Sequence, residues 1–295
     1  VDTKVREALA TADHSVHFMI FSFTHKDIRD DLIALHDQGL EVVGVFDYGE
    51  QERTEFVNCW RDVWCDVKPF DRYEALLEEA RPELLCLATR QTLHAEQIEQ
   101  AVAAGVRGIL CDKPLVTSLS EMDRVVAACA RTPLALALDR RWSAPYQQLR
   151  EMLANGIIGR ITSLVAYGLP NTINHGCHWY DALLGLLGDP EPLWVSGELV
   201  AGDPADERSQ MDPACRARIG TDSGVVAYVT CDGPKGAGFE ITGEDGRMSV
   251  YADAARARVW TESFERDLTI PGASGDWAAG MAMVADLVRA VNEGG

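Results

Sequence analysis

The segment Cys-Asp-Lys-Pro-Leu at 111–115 carries the residue types best suited to chemistry in this chain. It closes an apolar run, RGILCDK (107–113), that reads as a β-strand. Lys113 therefore stands at a strand's carboxyl end, between Asp112 and a proline that restricts the backbone, Pro114. A lysine held there can donate a hydrogen bond to a substrate hydroxyl, and can stabilise an alkoxide or pass on a proton as an alcohol is oxidised. The plain alternative is a solvated lysine following a strand. A second group is Asn174, His178 and Asp181, whose spacings of four and three put them on one face of a helix expected over 174–187. A histidine there can exchange a proton near neutral pH. Its plain alternative is a helix-packing histidine with Asp181 as local partner. A histidine pair at i,i+3 (His175 and His178) with Asp181 lacks a third, distant ligand, so no metal is expected.

The elements that must position these residues alternate along the first half. Apolar runs at 15–23, 41–47, 83–89, 107–113 and 133–139, with a short extended piece near WCDVKPF, are separated by helical patterns at 27–38, 50–60, 72–80, 93–106 and 118–130. Gly105 is a stop for one helix, and Ser118 or Ser120 a cap for another. Continuous runs such as ELLCLAT suit strands buried on both faces. The alternation predicts an α/β fold with a doubly wound parallel sheet, whose ligands bind at the carboxyl ends of the strands: 22–27, 47–50, 88–94 and 111–114. The second half changes character. Helical stretches at 142–154 and 174–187 flank the strand-like 159–169, and runs at 192–202, 217–232, 238–252 and 255–263 follow with Gly, Asp and Pro turn signals. They predict an α+β domain on an open, mostly antiparallel sheet, ending in a helix at 276–292. The expected domains are 1–140 and 141–295.

Composition narrows the function classes. Among 295 residues, 27 Lys and Arg stand against 46 Asp and Glu, a net charge of −19. Such a chain repels phosphate backbones and anionic lipid surfaces, so neither nucleic acid nor a membrane is an expected partner. No run approaches the roughly 18 apolar residues of a membrane span. The first eighteen residues show no basic region leading into an apolar core, and the eight cysteines are scattered, most of them in apolar runs. A cytoplasmic protein is the expectation.

These motifs together resemble the Gfo/Idh/MocA oxidoreductases, a family with a Rossmann domain followed by an α+β substrate domain. Asp112-Lys113-Pro114 matches the family's Asp/Glu-Lys-Pro signature. Ala88, Thr89 and His94 match its preceding Ala-Thr-Pro-x-x-x-His element, with Arg90 in place of the proline. RRWSAPYQQLREMLANGIIGRI (140–161) resembles the entry to the second domain, and HGCHWYDALLGLLGD (175–189) its histidine helix. The resemblance spans roughly 15–292. It implies an NAD-dependent dehydrogenase or reductase, with NADP less favoured, acting on a secondary alcohol or ketone of a sugar, cyclitol or related polyol. It implies Lys113, His178, Asn174 and Asp181 as catalytic residues. The implied cofactor contacts are Phe23, Thr24, His25, Lys26, Asp47, Ala88, Thr89, Arg90, His94, Asp112, Lys113 and Arg141. A homodimer or homotetramer through the second domain's sheet is implied as well.

Two departures from the family pattern stand out. The Gly-x-Gly-x-x-Gly loop after the first strand is replaced by the glycine-free FSFTHKD (21–27), where Thr24 or Asp27 can cap the helix and His25 and Lys26 add positive charge. Many family members carry an aspartate four residues before the histidine, as partner of the lysine; here it is Asn174, which can orient a hydroxyl but accepts no proton. Asp47, ending the second strand, suits a ribose diol and disfavours a 2′-phosphate, and equally suits a turn before Tyr48-Gly49. The departures leave open a non-redox enzyme with trapped NAD, and a cofactor-free binding or regulatory protein on the same scaffold. The opening βαβ is also similar to that of phospholipase-D-like proteins, but His25-Lys26-Asp27 lacks the His-x-Lys-x-x-x-x-Asp spacing of that chemistry.

Overall fold

The computed structural model describes residues 16–18, 40–201, 211–233, 238–272 and 277–293. The glycine-free segment with Phe23, Thr24, His25 and Lys26, and the helix expected at 27–38, lie outside the described residues. The chain forms two compact units. One runs to Ala137 and takes up the chain again from Gly280; the other is Leu138–Ala279. Most of the C-terminal helix lies with the first unit.

The first unit is built on parallel strands. β1 (Val16–Phe18) pairs with β2 (Leu40–Val42), and β3 (Gly44–Phe46) with β4 (Lys68–Phe70). β2 and β3 divide the run expected as one strand at 41–47, because its two halves pair with different neighbours. β5 (Leu84–Leu87), β6 (Gly108–Cys111) and β7 (Leu134–Leu136) form a parallel trio in that order, and β1 lies beside β5. Neighbours therefore run β4, β3/β2, β1, β5, β6, β7, the doubly wound order. Every residue of β5 and β6 is buried, as strands covered on both faces require.

The helices of this unit are α1 (Glu50–Trp60), a short α2 (Tyr73–Ala75) that continues as a π-helical turn over Leu76–Ala80, α3 (Gln91–Ala103) and α4 (Leu119–Ala128). α3 stops where expected: Gly105 takes φ +88°, its N–H donates to the Val102 carbonyl, and the Val106 N–H reaches back to Ala101. α4 starts on Ser118, whose hydroxyl accepts from the Glu121 N–H, while the Glu121 carboxylate accepts from the Thr117 N–H and hydroxyl. Phe46, Leu85, Leu87, Ile98 and Ile109 centre the core.

The second unit carries α5 (Ala144–Ala154) and α6 (Gly176–Leu186) on an eight-stranded sheet. Its strands are β8 (Ile161–Tyr167), β9 (Pro192–Leu199), β10 (Cys215–Thr221), β11 (Val226–Thr230), β12 (Gly238–Gly243), β13 (Gly246–Tyr251), β14 (Arg256–Thr261) and β15 (Glu265–Thr269). The order is β15-β14-β13-β12-β8-β11-β10-β9, antiparallel throughout except for β8 beside β11. Leu149, Leu164, Trp179, Leu183, Phe239 and Val259 lie in the core between helices and sheet. The edge strand β9 is exposed along its whole length, Leu193, Trp194, Val195 and Leu199 included. The last helix, α7 (Trp277–Glu293), lays Leu287 and Val291 against Gly108 of β6, where a side chain would collide with them. That contact accounts for its place with the first unit.

Candidate functional site

In the first unit, Leu87 stands opposite Cys111 in the parallel β5–β6 ladder, so Ala88-Thr89-Arg90 and Asp112-Lys113-Pro114 leave the sheet at the same end. The Asp112 N–H continues the ladder to the Leu87 carbonyl at 2.7 Å. His94, on the first turn of α3, lies behind both segments and is only 1% exposed. Its Nδ1 is 3.2 Å from the Pro114 carbonyl oxygen and 3.1 Å from that of Leu115, and its Nε2 is 3.0 Å from that of Thr89. The Thr89 hydroxyl donates to the Gln97 side-chain oxygen, and the Gln97 carbonyl accepts from the Tyr73 hydroxyl at 2.8 Å. His94, expected as a cofactor contact, is thus turned inward on backbone carbonyls. Lys113 is half-buried at the end of β6.

Asp47 follows β3. Its Oδ1 accepts the Gly49 N–H at 2.8 Å, the turn arrangement already open in the sequence, and its carbonyl accepts from Arg53 Nη1 at 2.6 Å. The second carboxylate oxygen takes no part in that turn. Cys86 and Cys111 sit inside β5 and β6. Burial, aided by the Asp112 charge, pushes the Cys86 thiol up to about 12, and burial, aided by Cys86 and Asp112, also raises Cys111. Both therefore act as packing groups, not nucleophiles.

The small Ala88 and Thr89 follow β5, Arg90 precedes α3 without a side-chain capping bond, and a carboxylate follows β3. These features suit a nucleotide crossing the strand ends, with backbone N–H groups and a carboxylate for its polar parts. Among the described residues, no cluster of three His, Cys, Asp or Glu side chains is arranged to hold a metal.

In the second unit, α6 begins at Gly176 with His175 as its cap. Asn174 lies in the turn before it, and this corrects the expected single helical face: His178 and Asp181 are on the helix, Asn174 is not. The turn is held from outside. Asn171 Oδ1 accepts the His175 N–H at 2.7 Å, and the two carboxylate oxygens of Asp212 accept the Ile173 and Asn174 N–H groups at 2.8 Å each. Side-chain acceptors thus take backbone N–H groups that a longer helix would turn inward.

His178 does not pair with Asp181. Its Nδ1 lies 3.3 Å from Asp139 Oδ1, an ion-pair distance whose N–H direction is not aligned on the oxygen. Burial raises the Asp139 pKa, but His178 and then Arg140 outweigh it, and the carboxyl falls below its ordinary value. Asp181 accepts from Arg141 Nε at 2.7 Å, and the same guanidinium reaches Asp189 at 3.1 Å. Burial outweighs that pairing and leaves the Asp181 carboxyl above its ordinary value. Arg141, expected as a cofactor contact, is thus engaged by two acids of its own unit. Asp139 and Asp212 were not among the residues singled out from sequence. A signal for Asp139 existed: PLALALD ends in an acid, as GVFD and GILCD do. Asp212 had none.

The doubly wound strand order and the open mixed sheet define a two-unit Rossmann-type protein. Residues 28–139 match the family model described as "Oxidoreductase family, NAD-binding Rossmann fold". Over that stretch the chain is similar to the Gfo/Idh/MocA oxidoreductases. It is 32% identical over 101 residues to a dTDP-3,4-didehydro-2,6-dideoxy-alpha-D-glucose 3-reductase of Actinomadura kijaniata, covering 34% of this chain and 30% of that one. It is 27% identical over 211 residues to a D-apiose dehydrogenase of Rhizobium rhizogenes, covering 58% of this chain and 61% of the relative. The chain thus spans less than two thirds of either curated relative. An oxidoreductase structure from Thermotoga maritima superposes with a TM-score of 0.75 at 18% identity, over 96% of this chain and 90% of the other, a likeness of fold.

Proposed function

We propose that this chain is an NAD(H)-dependent oxidoreductase acting on a secondary alcohol or ketone of a sugar, cyclitol or related polyol. The observation that carries the reading is Asp112-Lys113-Pro114 at the carboxyl end of β6, beside Ala88-Thr89 and backed by the buried His94. The two curated relatives, a deoxysugar nucleotide 3-reductase and D-apiose dehydrogenase by name, support the substrate class.

A bound nicotinamide would supply or take up the hydride. Ala88, Thr89, Arg90, Asp112 and the described part of the strand-end rim would hold it, with Asp47 at the adenosine ribose. Lys113 hydrogen-bonds the reacting oxygen and offsets its charge as the carbonyl and alcohol interconvert. His178 exchanges the hydroxyl proton. Asn174, exposed in the turn before α6, orients a neighbouring hydroxyl. Asp181 contributes by fixing Arg141. The Asp47 carboxylate would lie against a 2′-phosphate, which favours NAD(H) over NADP(H). A second copy is proposed to pair through the second unit's sheet, whose edge strand β9 exposes Leu193, Trp194 and Val195.

The test is calorimetric titration with NAD⁺, NADH, NADP⁺ and NADPH after any copurified nucleotide has been removed, followed by a sugar and cyclitol screen. Saturable NAD(H) binding with reduction or oxidation of one such substrate is expected. A folded protein that takes up none of the four nucleotides would overturn the reading.

A further inference from the structure

We propose that Asp139 is the positioning carboxylate of His178: it keeps the ring proton on Nδ1 and so makes Nε2 the atom that exchanges a proton with substrate. The substrate half of this statement rests on the oxidoreductase reading; the choice of tautomer does not.

The geometry narrows the partner to one. Asp139 Oδ1 and His178 Nδ1 are 3.3 Å apart, and both atoms are shielded from solvent. Neither has a hydrogen-bond partner elsewhere among the described residues. Asp181 lies on the same helix as His178 but is taken by Arg141 at 2.7 Å. Arg140 follows Asp139 in the chain and approaches its Oδ1 at 3.9 Å, but its Nε and Nη2 are committed to Asp253 at 3.0 and 3.2 Å. Asn174, four residues before His178, supplies no negative charge.

The consequence follows from donor and acceptor chemistry. An ionised carboxylate only accepts, so the ring nitrogen facing it must carry hydrogen. A neutral imidazole has one N–H, and placing it on Nδ1 leaves the lone pair on Nε2. Nε2 has no hydrogen-bond partner among the described residues and stands ready to receive a proton. The loose alignment at Nδ1 is ordinary for an unliganded acid–base pair, which tightens when substrate binds.

The tautomer can be read directly by two-bond ¹H–¹⁵N correlation on histidine-labelled protein at about pH 8, where an ordinary histidine is neutral. His178→Gln identifies the signal by its loss. Nδ1–H is expected to dominate in the wild type. In Asp139→Asn, whose amide both donates and accepts, the two tautomers should mix or invert, and kcat should fall on the order of 10- to 1000-fold with KM little changed, as for carboxylates that orient a catalytic histidine. A wild-type His178 carrying its hydrogen on Nε2 would overturn the assignment, and needs no variant to fold. So would an unchanged tautomer in Asp139→Asn. Nucleotide binding is measured separately. Its absence would remove the oxidoreductase reading, while the spectrum of the protein alone would still decide for or against Asp139.

Discussion

The Nδ1 atom of His94 lies 3.2 Å from the carbonyl oxygen of Pro114, and this contact ties the start of α3 to the segment that carries Lys113. With Nε2 at 3.0 Å from the Thr89 carbonyl, one buried ring bridges the ends of two adjacent parallel strands. His94→Ala would leave a cavity and expose those carbonyls to an apolar interior, a loss of about 2–4 kcal/mol. Urea unfolding measures it, and amide exchange over 112–116 should speed up in the same variant. An unchanged midpoint with unchanged exchange would remove the bridging role.

Lys113 is half-buried at a strand end, so its removal should spare the fold. Lys113→Met is expected to keep the wild-type unfolding midpoint within about 0.5 kcal/mol and to lower turnover on the order of 100- to 10,000-fold. Parallel circular dichroism and steady-state assays, once a substrate is found, check both halves. A fully active variant contradicts the role.

Asp139 and Asp181 should mark the acid limb of stability in opposite senses. The folded Asp139 pKa lies below its ordinary value, so its contribution is present above the unfolded value of about 3.9 and is lost as pH falls through the folded one. The folded Asp181 pKa lies above its ordinary value, so its contribution is present at low pH and is lost as pH rises through the folded one. The stability difference between wild type and Asp139→Asn should therefore shrink as pH falls below about 4. Urea titrations across that range measure it; a constant difference would contradict the ion pair.

Asp253 holds Arg140 through both carboxylate oxygens and also accepts from the Tyr146 hydroxyl at 2.8 Å. It does so from a left-handed turn in which Ala252, Asp253 and Ala254 all have positive φ. Asp253→Ala would leave a largely shielded guanidinium, stacked on Trp179 at 5.0 Å, without its counter-ion. A loss of about 2–4 kcal/mol is expected by chemical denaturation, with Asp253→Asn intermediate.

A Cβ on Gly108 would come within 2.6 Å of Val291 Cγ2 and 2.8 Å of Leu84 Cδ2. Gly108→Val should therefore force α7 away from β6 and cost about 1–3 kcal/mol, with Gly108→Ala milder. Calorimetric unfolding checks the size, and faster amide exchange in α7 checks the place.

Interactions within a few residues were legible in the sequence. Ser118 caps α4, Gly105 ends α3 in a left-handed conformation, and the unbroken apolar runs of β5 and β6 are buried on both faces. Lys113 stands out in the sequence because Asp-Lys-Pro directly follows such a run. Pairings between distant elements were not legible, because a side chain's partner depends on which elements pack together and on which charges that packing shields from water. Asp181 is near His178 in sequence, yet Arg141 takes it, and His178 meets Asp139 instead. Asn174 has a helical spacing, yet Asp212 and Asn171 bind the backbone around it and hold it off the helix. The last helix is amphipathic wherever it lies; only the space above Gly108 determines that Leu287 and Val291 pack on the first unit. Local propensity acts through the backbone of one segment, whereas these choices arise from the shape and desolvation that several segments create together.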